Sequence, residues 1–290
     1  FLGKPAFQRQ VGLSLTDPPV ERALARAAAL GLPALIHVAD PPVFWTAGPL
    51  ATAAGGPDSA ADLPPAVPGY EELQAQALAV LDRHPRLTAV FAHLLMMAHD
   101  LPRLAGILAA HPHAYLDLAP GLYFYGELSR HAEQAREFLI RFRERLLFGS
   151  DGFWFDPAFE GLPFSPAAEN LRRGRRLVEF LVTEHEMDNP FPYTREAQPR
   201  LRGLGLGRSR DGRRALRQIL RGNFRRLFPR TPAPVDPAAC ARYAEQTAAR
   251  ARRLAAAPGG HPTAERRARE LAEIASLLRG PPASKGGRAC

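Results

Sequence analysis

Cysteine is nearly absent from this 290-residue chain: only Cys240 and Cys290 occur, both in the polar C-terminal region. Two such residues supply neither a disulfide framework nor a thiolate metal site, and a reducing cytoplasm is the expected compartment. No apolar run approaches the ~18 residues of a membrane span, so a soluble protein is expected. Phe1 is not an initiator Met, and no basic, apolar, small-residue leader follows it, so the chain is expected to be cut from something longer. There is no G-x-S-x-G nucleophile elbow and no C-x-x-C pair. Gly203, Gly205 and Gly207 have neither a strand ahead of them nor the spacing of a phosphate loop.

Lysine is scarce too. Of 38 basic residues only Lys4 and Lys285 are Lys, a bias that fits GC-rich coding alongside abundant Ala, Pro and Gly. The formal charge of +9 is unevenly spread: residues 1–170 hold 12 basic and 18 acidic side chains, residues 171–290 hold 26 and 11. A basic half can attract nucleic acid through its long-range field. Aromatic stacking partners are few there, which favours solvated helix faces instead.

With 46% hydrophobic residues the chain can bury one large core. Apolar runs occur in 34–38, 88–92, 114–118 and 146–149, each separated from the next by a helix-like pattern, and 6–15 reads as a further strand. Apolar strands alternating with helices predict a parallel sheet, and polar residues after such strands collect on one rim. Helices are expected over 18–31 with Asp17 as cap, 70–84, 101–110 with Asp100 as cap, 130–143, 170–183 and 211–228. Residues 46–69, rich in Ala, Gly and Pro, read as a lid or substrate loop, 156–169 as a loop and 186–210 as irregular. Residues 231–290 begin with a Pro-rich linker and carry two Ala/Arg/Glu-rich segments with one thin stripe, Leu271, Ile274 and Leu278. That is enough for one docking helix in a partly disordered appendage.

Four polar residues close the apolar runs: His37, His93, Asp117 and Asp151. A neutral imidazole at a strand end can bind a divalent metal, although a satisfied structural His is the commoner case. Asp151 lies in a Gly-Ser-Asp-Gly turn, where a carboxylate at a buried strand end is costly unless paired or on a metal. Asp117 sits inside its strand and is expected to hydrogen-bond rather than react. Asp40, Trp45 and Tyr123 to Tyr125 fall in the loops after strands, where substrate choice is made, or pack on the sheet end.

The order of strand-end His, strand-end His and then RLLFGSD, followed by LRQILRGNFRRLF, resembles the amidohydrolase-related branch of the metal-dependent amidohydrolases, which includes hydrolases and non-oxidative decarboxylases. GLPALIHVADPPVFW and EFLVTEHEMDNPFPY add to the resemblance, which covers about residues 5–229. It implies an α/β fold of the (β/α)8 TIM-barrel type with one divalent metal, usually zinc. It implies His37 and Asp151 as metal ligands, His93 as the residue polarising substrate, and Asp151 as the proton shuttle. The first-strand His-x-His of that family has no counterpart ahead of His37, and His111-Pro-His113 lies in the wrong place to replace it. About five of eight strands are therefore expected, either in a fragment lacking the first three βα units or because the gene start is mis-set.

The expected organisation is a barrel portion over 1–230 and an Ala/Arg-rich helical tail over 231–290. The expected activity is attack of metal-activated water on a carbonyl of a small-molecule substrate; decarboxylation on the same scaffold is the alternative. Asp40, Trp45, Tyr123 and Tyr125 are the expected substrate contacts. A homodimer remains open, and no membrane or nucleic-acid partner is expected. Two rivals stand beside this reading: a barrel without a working site that serves as a binding protein, and an Arg-rich nucleic-acid binder.

Overall fold

A computed structural model of the chain describes residues 2–45, 68–120, 124–151, 167–190, 194–228, 236–256 and 264–279. Most of the expected 46–69 lid, most of the 156–169 loop and Tyr123 lie outside the described residues. The chain divides into two units, Phe1–Phe228 and Pro229–Cys290. Among the described residues no helix is long and apolar enough to cross a membrane.

The first unit is built on four parallel strands: β1 (Ala34–Ile36), β2 (Ala89–Phe91), β3 (Ala114–Asp117) and β4 (Leu146–Leu147). They lie in sequence order, with Ile36 level with Phe91, Phe91 with Leu116, and Leu116 with Leu146. Because side chains alternate along a strand, these four share one face, and all are in the main core. Against that core lie α3 (Tyr70–Arg83) through Leu73, Ala77, Val80 and Leu81, and α4 (Leu101–Ala110) through Leu104 and Leu108. α5 (Phe124–Arg130) and α6 (Ala132–Arg141) follow β3 and add Leu128, Ala135 and Leu139. The opposite face carries Leu35, Val90 and Tyr115, and Leu35 is 68% exposed.

The region ahead of β1 departs from expectation. Residues 6–15 form no strand: Pro5–Val11 is a helix, α1, followed by α2 (Pro18–Ala29). Pro5 sits in the first turn, where a missing N–H costs nothing, and Gly12 ends the helix at φ 64 with its N–H on Gln8 O at 2.8 Å. These end signals outweigh the period-2 alternation between them. The described residues thus hold four parallel strands rather than five, with Gly3 making one parallel bridge to Val38 beyond β1. Asp17 precedes α2 but makes no side-chain cap: the Val20 N–H goes to the Asp17 backbone carbonyl at 2.9 Å, and the carboxylate takes the Ser14 N–H at 2.7 Å. Asp100 does cap α4, accepting from Arg103 N at 3.0 Å.

After β4 come α7 (Ala167–Val182) and an antiparallel pair, β5 (Glu186–Asp188) and β6 (Arg200–Arg202), where an irregular stretch was expected. Gly203 and Gly207 after β6 serve close packing, since a Cβ there would strike the Thr183 and Val182 carbonyls. The expected 211–228 helix is α8 (Arg210–Arg217), a π turn over Gln218–Gly222, and α9 (Asn223–Leu227). Within the π turn, Ile219 O accepts the Phe148 N–H at 3.0 Å, closing the edge of the sheet beside β4.

The second unit is a helix pair, α10 (Pro237–Ala256) and α11 (Ala264–Arg279), not a single docking helix. Ala241, Ala244 and Ala275 form its buried contact, and Leu278 packs on it. Small side chains let the two helices approach, whereas Ile274 of the expected stripe is 46% exposed.

Candidate active site

Parallel strands bring their carboxyl ends to one rim, and here that rim carries His37 after β1, His93 after β2, Asp117 ending β3 and Asp151 after β4. The His37 and His93 rings meet edge to face, 4.8 Å between centroids. His37 is held from the far side by Gly3, where a Cβ would lie 2.1 Å from the His37 carbonyl oxygen. Burial, then the neighbouring His93 and Lys4, push the His37 pKa down to about 2, so its imidazole is neutral at ordinary pH.

The chain leaves the strands through unusual backbone. Ala39, the run His93 to Met96 and Asp151 all have positive φ, between 47° and 57°, and none is glycine. A left-handed residue costs ~1–2 kcal/mol, so the four-residue turn at 93–96 costs ~4–8 kcal/mol, comparable with the ~5–15 kcal/mol net stability of a whole domain. None of the four is β-branched, the type that fits this region worst. Leu94 and Leu95 are fully buried, which offsets ~1.5–3 kcal/mol each. Hydrogen bonds fix the turn at both ends. Asp117 Oδ1 accepts the His93 N–H at 2.8 Å and the Ala119 N–H at 3.0 Å. Gln74 Nε2 donates to Leu95 O at 3.0 Å, and the Tyr70 hydroxyl to Met96 O at 3.0 Å.

These bonds define the chemistry of His93. Its Nδ1 lies 3.1 Å from Ala119 O, and a carbonyl oxygen can only accept, so Nδ1 carries a proton. The Nε2 edge is then the reactive one: neutral it accepts, protonated it donates. Asp117 is buried, and burial raises its pKa against the His93 ring and the two N–H groups it accepts. Burial also raises the Tyr70 hydroxyl.

The other expected site residues divide. Asp40 is 5% exposed and pairs with Lys4 Nζ at 3.2 Å, a partner that sequence reading missed. Trp45 stacks edge to face on Tyr70, 5.7 Å between centroids, with His99 6.0 Å from Tyr70 on another side. Tyr125 is no exposed substrate wall: it is 1% exposed, packs on Phe180 at 4.8 Å and donates to Leu118 O at 2.9 Å. An apolar body of that size gains most by burial, and the carbonyl satisfies its hydroxyl. Asp151 is partly buried and follows Gly149, where a Cβ would lie 2.9 Å from the Ala119 Cβ. The same residue, Ala119, thus carries His93 Nδ1 on its carbonyl and admits the β4 exit past its side chain.

Against this geometry, a family model described as amidohydrolase matches residues 6–230. The chain belongs to the amidohydrolase family. No curated protein and no solved structure matches it. Enzymes of this family are hydrolases and decarboxylases, and they generally bind divalent metals. The described residues of this amidohydrolase do not by themselves fit such an ion, since no three His, Cys, Asp or Glu among them group closely enough to hold one.

Proposed function

We propose that this amidohydrolase is a hydrolase of small organic substrates in which water attacks a carbonyl at the rim formed by His37, His93 and Asp151. The four sequential strands then form an arc of a (β/α)8 barrel. A parallel sheet without a switch in strand order puts its helices on one face, as barrels do and doubly wound sheets do not. Residues 231–290 form a separate helical appendage.

The observation that carries the reading is the paired imidazoles, 4.8 Å apart, with the His93 Nδ1 committed to Ala119 O. In the imidazolium form the His93 Nε2–H donates to the substrate carbonyl oxygen as negative charge develops there. Asp151 takes the proton of the attacking water. Neutral His37 sets no positive charge against that imidazolium. The family resemblance names His37 and Asp151 as metal ligands, but without a third close ligand among the described residues no step of this reading passes through a metal. The Asp40–Lys4 pair and Trp45 border the rim and contribute to substrate choice.

The test is turnover of a panel of activated esters, amides and aromatic carboxylates, in buffer with and without zinc, recording acid release and carbon dioxide separately. Hydrolysis that falls at least ~100-fold in both His93→Ala and Asp151→Ala supports the reading. Carbon dioxide release in place of acid release assigns the decarboxylase alternative. Equal turnover in wild type and both variants refutes the site.

A further inference from the structure

We infer that Tyr70, Gln74 and Asp117 form a three-point clamp whose work is to position His93 by holding the left-handed turn 93–96. This deepens the proposed function, since it rests on His93 as the group that meets substrate.

The two halves of the turn are gripped from different elements. Tyr70 and Gln74 are four residues apart on α3, so they share one helix face, and they donate to the consecutive carbonyls of Met96 and Leu95. Asp117, at the end of β3, accepts the backbone N–H of His93 itself. Its second acceptance, from Ala119 N, fixes the residue whose carbonyl takes His93 Nδ1. One carboxylate therefore sets both the backbone and, through Ala119, the ring of His93. Such backbone persists only where its surroundings over-determine it. Gln74 and Asp117 are buried at 0% and 9% exposure, and both are spent on backbone groups of this rim. A carboxylate used in this way needs to be an acceptor at the right point; it does not need to exchange a proton. Asparagine keeps that acceptor, and leucine removes it.

The experiment uses the full chain labelled with ¹⁵N histidine. The readouts are the tautomer of His93 from its imidazole nitrogen shifts and the exchange rate of the His93 backbone amide; neither depends on substrate or metal. In the wild type, His93 is expected in the Nδ1-protonated form with a protected amide. Asp117→Asn should keep the tautomer and hold amide exchange within about tenfold, whereas Asp117→Leu should mix the tautomers and speed exchange by at least ~100-fold. Should Asp117→Leu fail to fold, the double variant Tyr70→Phe with Gln74→Leu, which frees both carbonyls without burying a new charge, carries the same expectation. An unchanged His93 in that double variant overturns the clamp. So does an Asp117→Asn protein in which His93 behaves as in the leucine variant. A protein that passes these tests yet hydrolyses nothing in the substrate panel leaves the clamp standing and removes the proposed function instead.

Discussion

The two ends of the same sheet are held together in opposite ways. At the amino end, polar side chains terminate carbonyls in ordinary backbone. Arg145 donates to Ala114 O at 2.6 Å and His111 O at 2.5 Å while lying over the Tyr115 ring, and Asn223 donates to Arg143 O at 2.6 Å and Leu146 O at 2.7 Å. At the carboxyl end the hydrogen bonds hold left-handed backbone around His93. One end uses its polar groups to stabilise the fold and the other uses them to keep a costly geometry. That division matches the general assignment of stability to the amino face of such sheets and chemistry to the carboxyl face.

The comparison breaks most visibly if a rim side chain proves structural. His93→Ala is expected to lower turnover by ~100-fold to 10,000-fold, the range for loss of one proton-transferring group. Its stability should fall by only ~1–3 kcal/mol, the cost of leaving the Ala119 carbonyl without the His93 Nδ1 donor, because the turn itself is held through backbone groups that alanine retains. Equal falls in activity and stability would merge the two ends. At the amino end the signs reverse: Asn223→Ala leaves the buried Leu146 carbonyl without its donor, at ~1–3 kcal/mol, and frees the partly buried Arg143 carbonyl. Equilibrium denaturation should record that loss while the His93 imidazole shifts remain unchanged.

Sequence reading reached the rim further than it reached the clamp. The four apolar runs located β1 to β4 to within two residues, and His37, His93, Asp117 and Asp151 stand at or shortly after the carboxyl ends of these parallel strands. Hydrophobic runs are local, so they can be read locally. The left-handed turn offered no such signal, since His93, Leu94, Leu95 and Met96 include no Gly or Asn to mark positive φ. Its causes are Tyr70 and Gln74, more than twenty residues away in sequence, and Asp117 from the next strand. Local pattern also misled at residues 6–15, where Pro5 and Gly12 decide for a helix. Tyr125 read as a wall residue because its position after a strand was visible and its burial was not.

A pH experiment sharpens the rim side. The His37 pKa is about 2 in the folded chain against 6.5 for an ordinary histidine. The unfolded chain therefore binds a proton that the folded one refuses, and stability contributed by neutral His37 is complete above pH 6.5 and declines as pH falls toward 2. The slope for one proton is about 1.4 kcal/mol per pH unit. Urea midpoints between pH 7 and 4 should fall less steeply in His37→Gln than in wild type. Parallel curves would mean that the rim tolerates charge at His37.

The smallest effect separates capping from clamping on the rim itself. Asp100 and Asp17 look alike in sequence, each an aspartate before a helix whose first turn contains proline. Asp100 accepts the Arg103 N–H and lies only four residues beyond Met96, so it tests whether a cap close to the strained turn in sequence also supports it. Asp100→Ala should cost ~1 kcal/mol, the usual worth of an N-cap, and should leave His93 in its wild-type tautomer. Asp17→Ala, which removes no cap, should cost less, about the worth of the single Ser14 contact at ~0.5–1.5 kcal/mol or below. A shifted His93 in Asp100→Ala would extend the clamp into α4. Unshifted, it confines the clamp to α3 and β3, where Gln74 and Asp117 hold the turn directly.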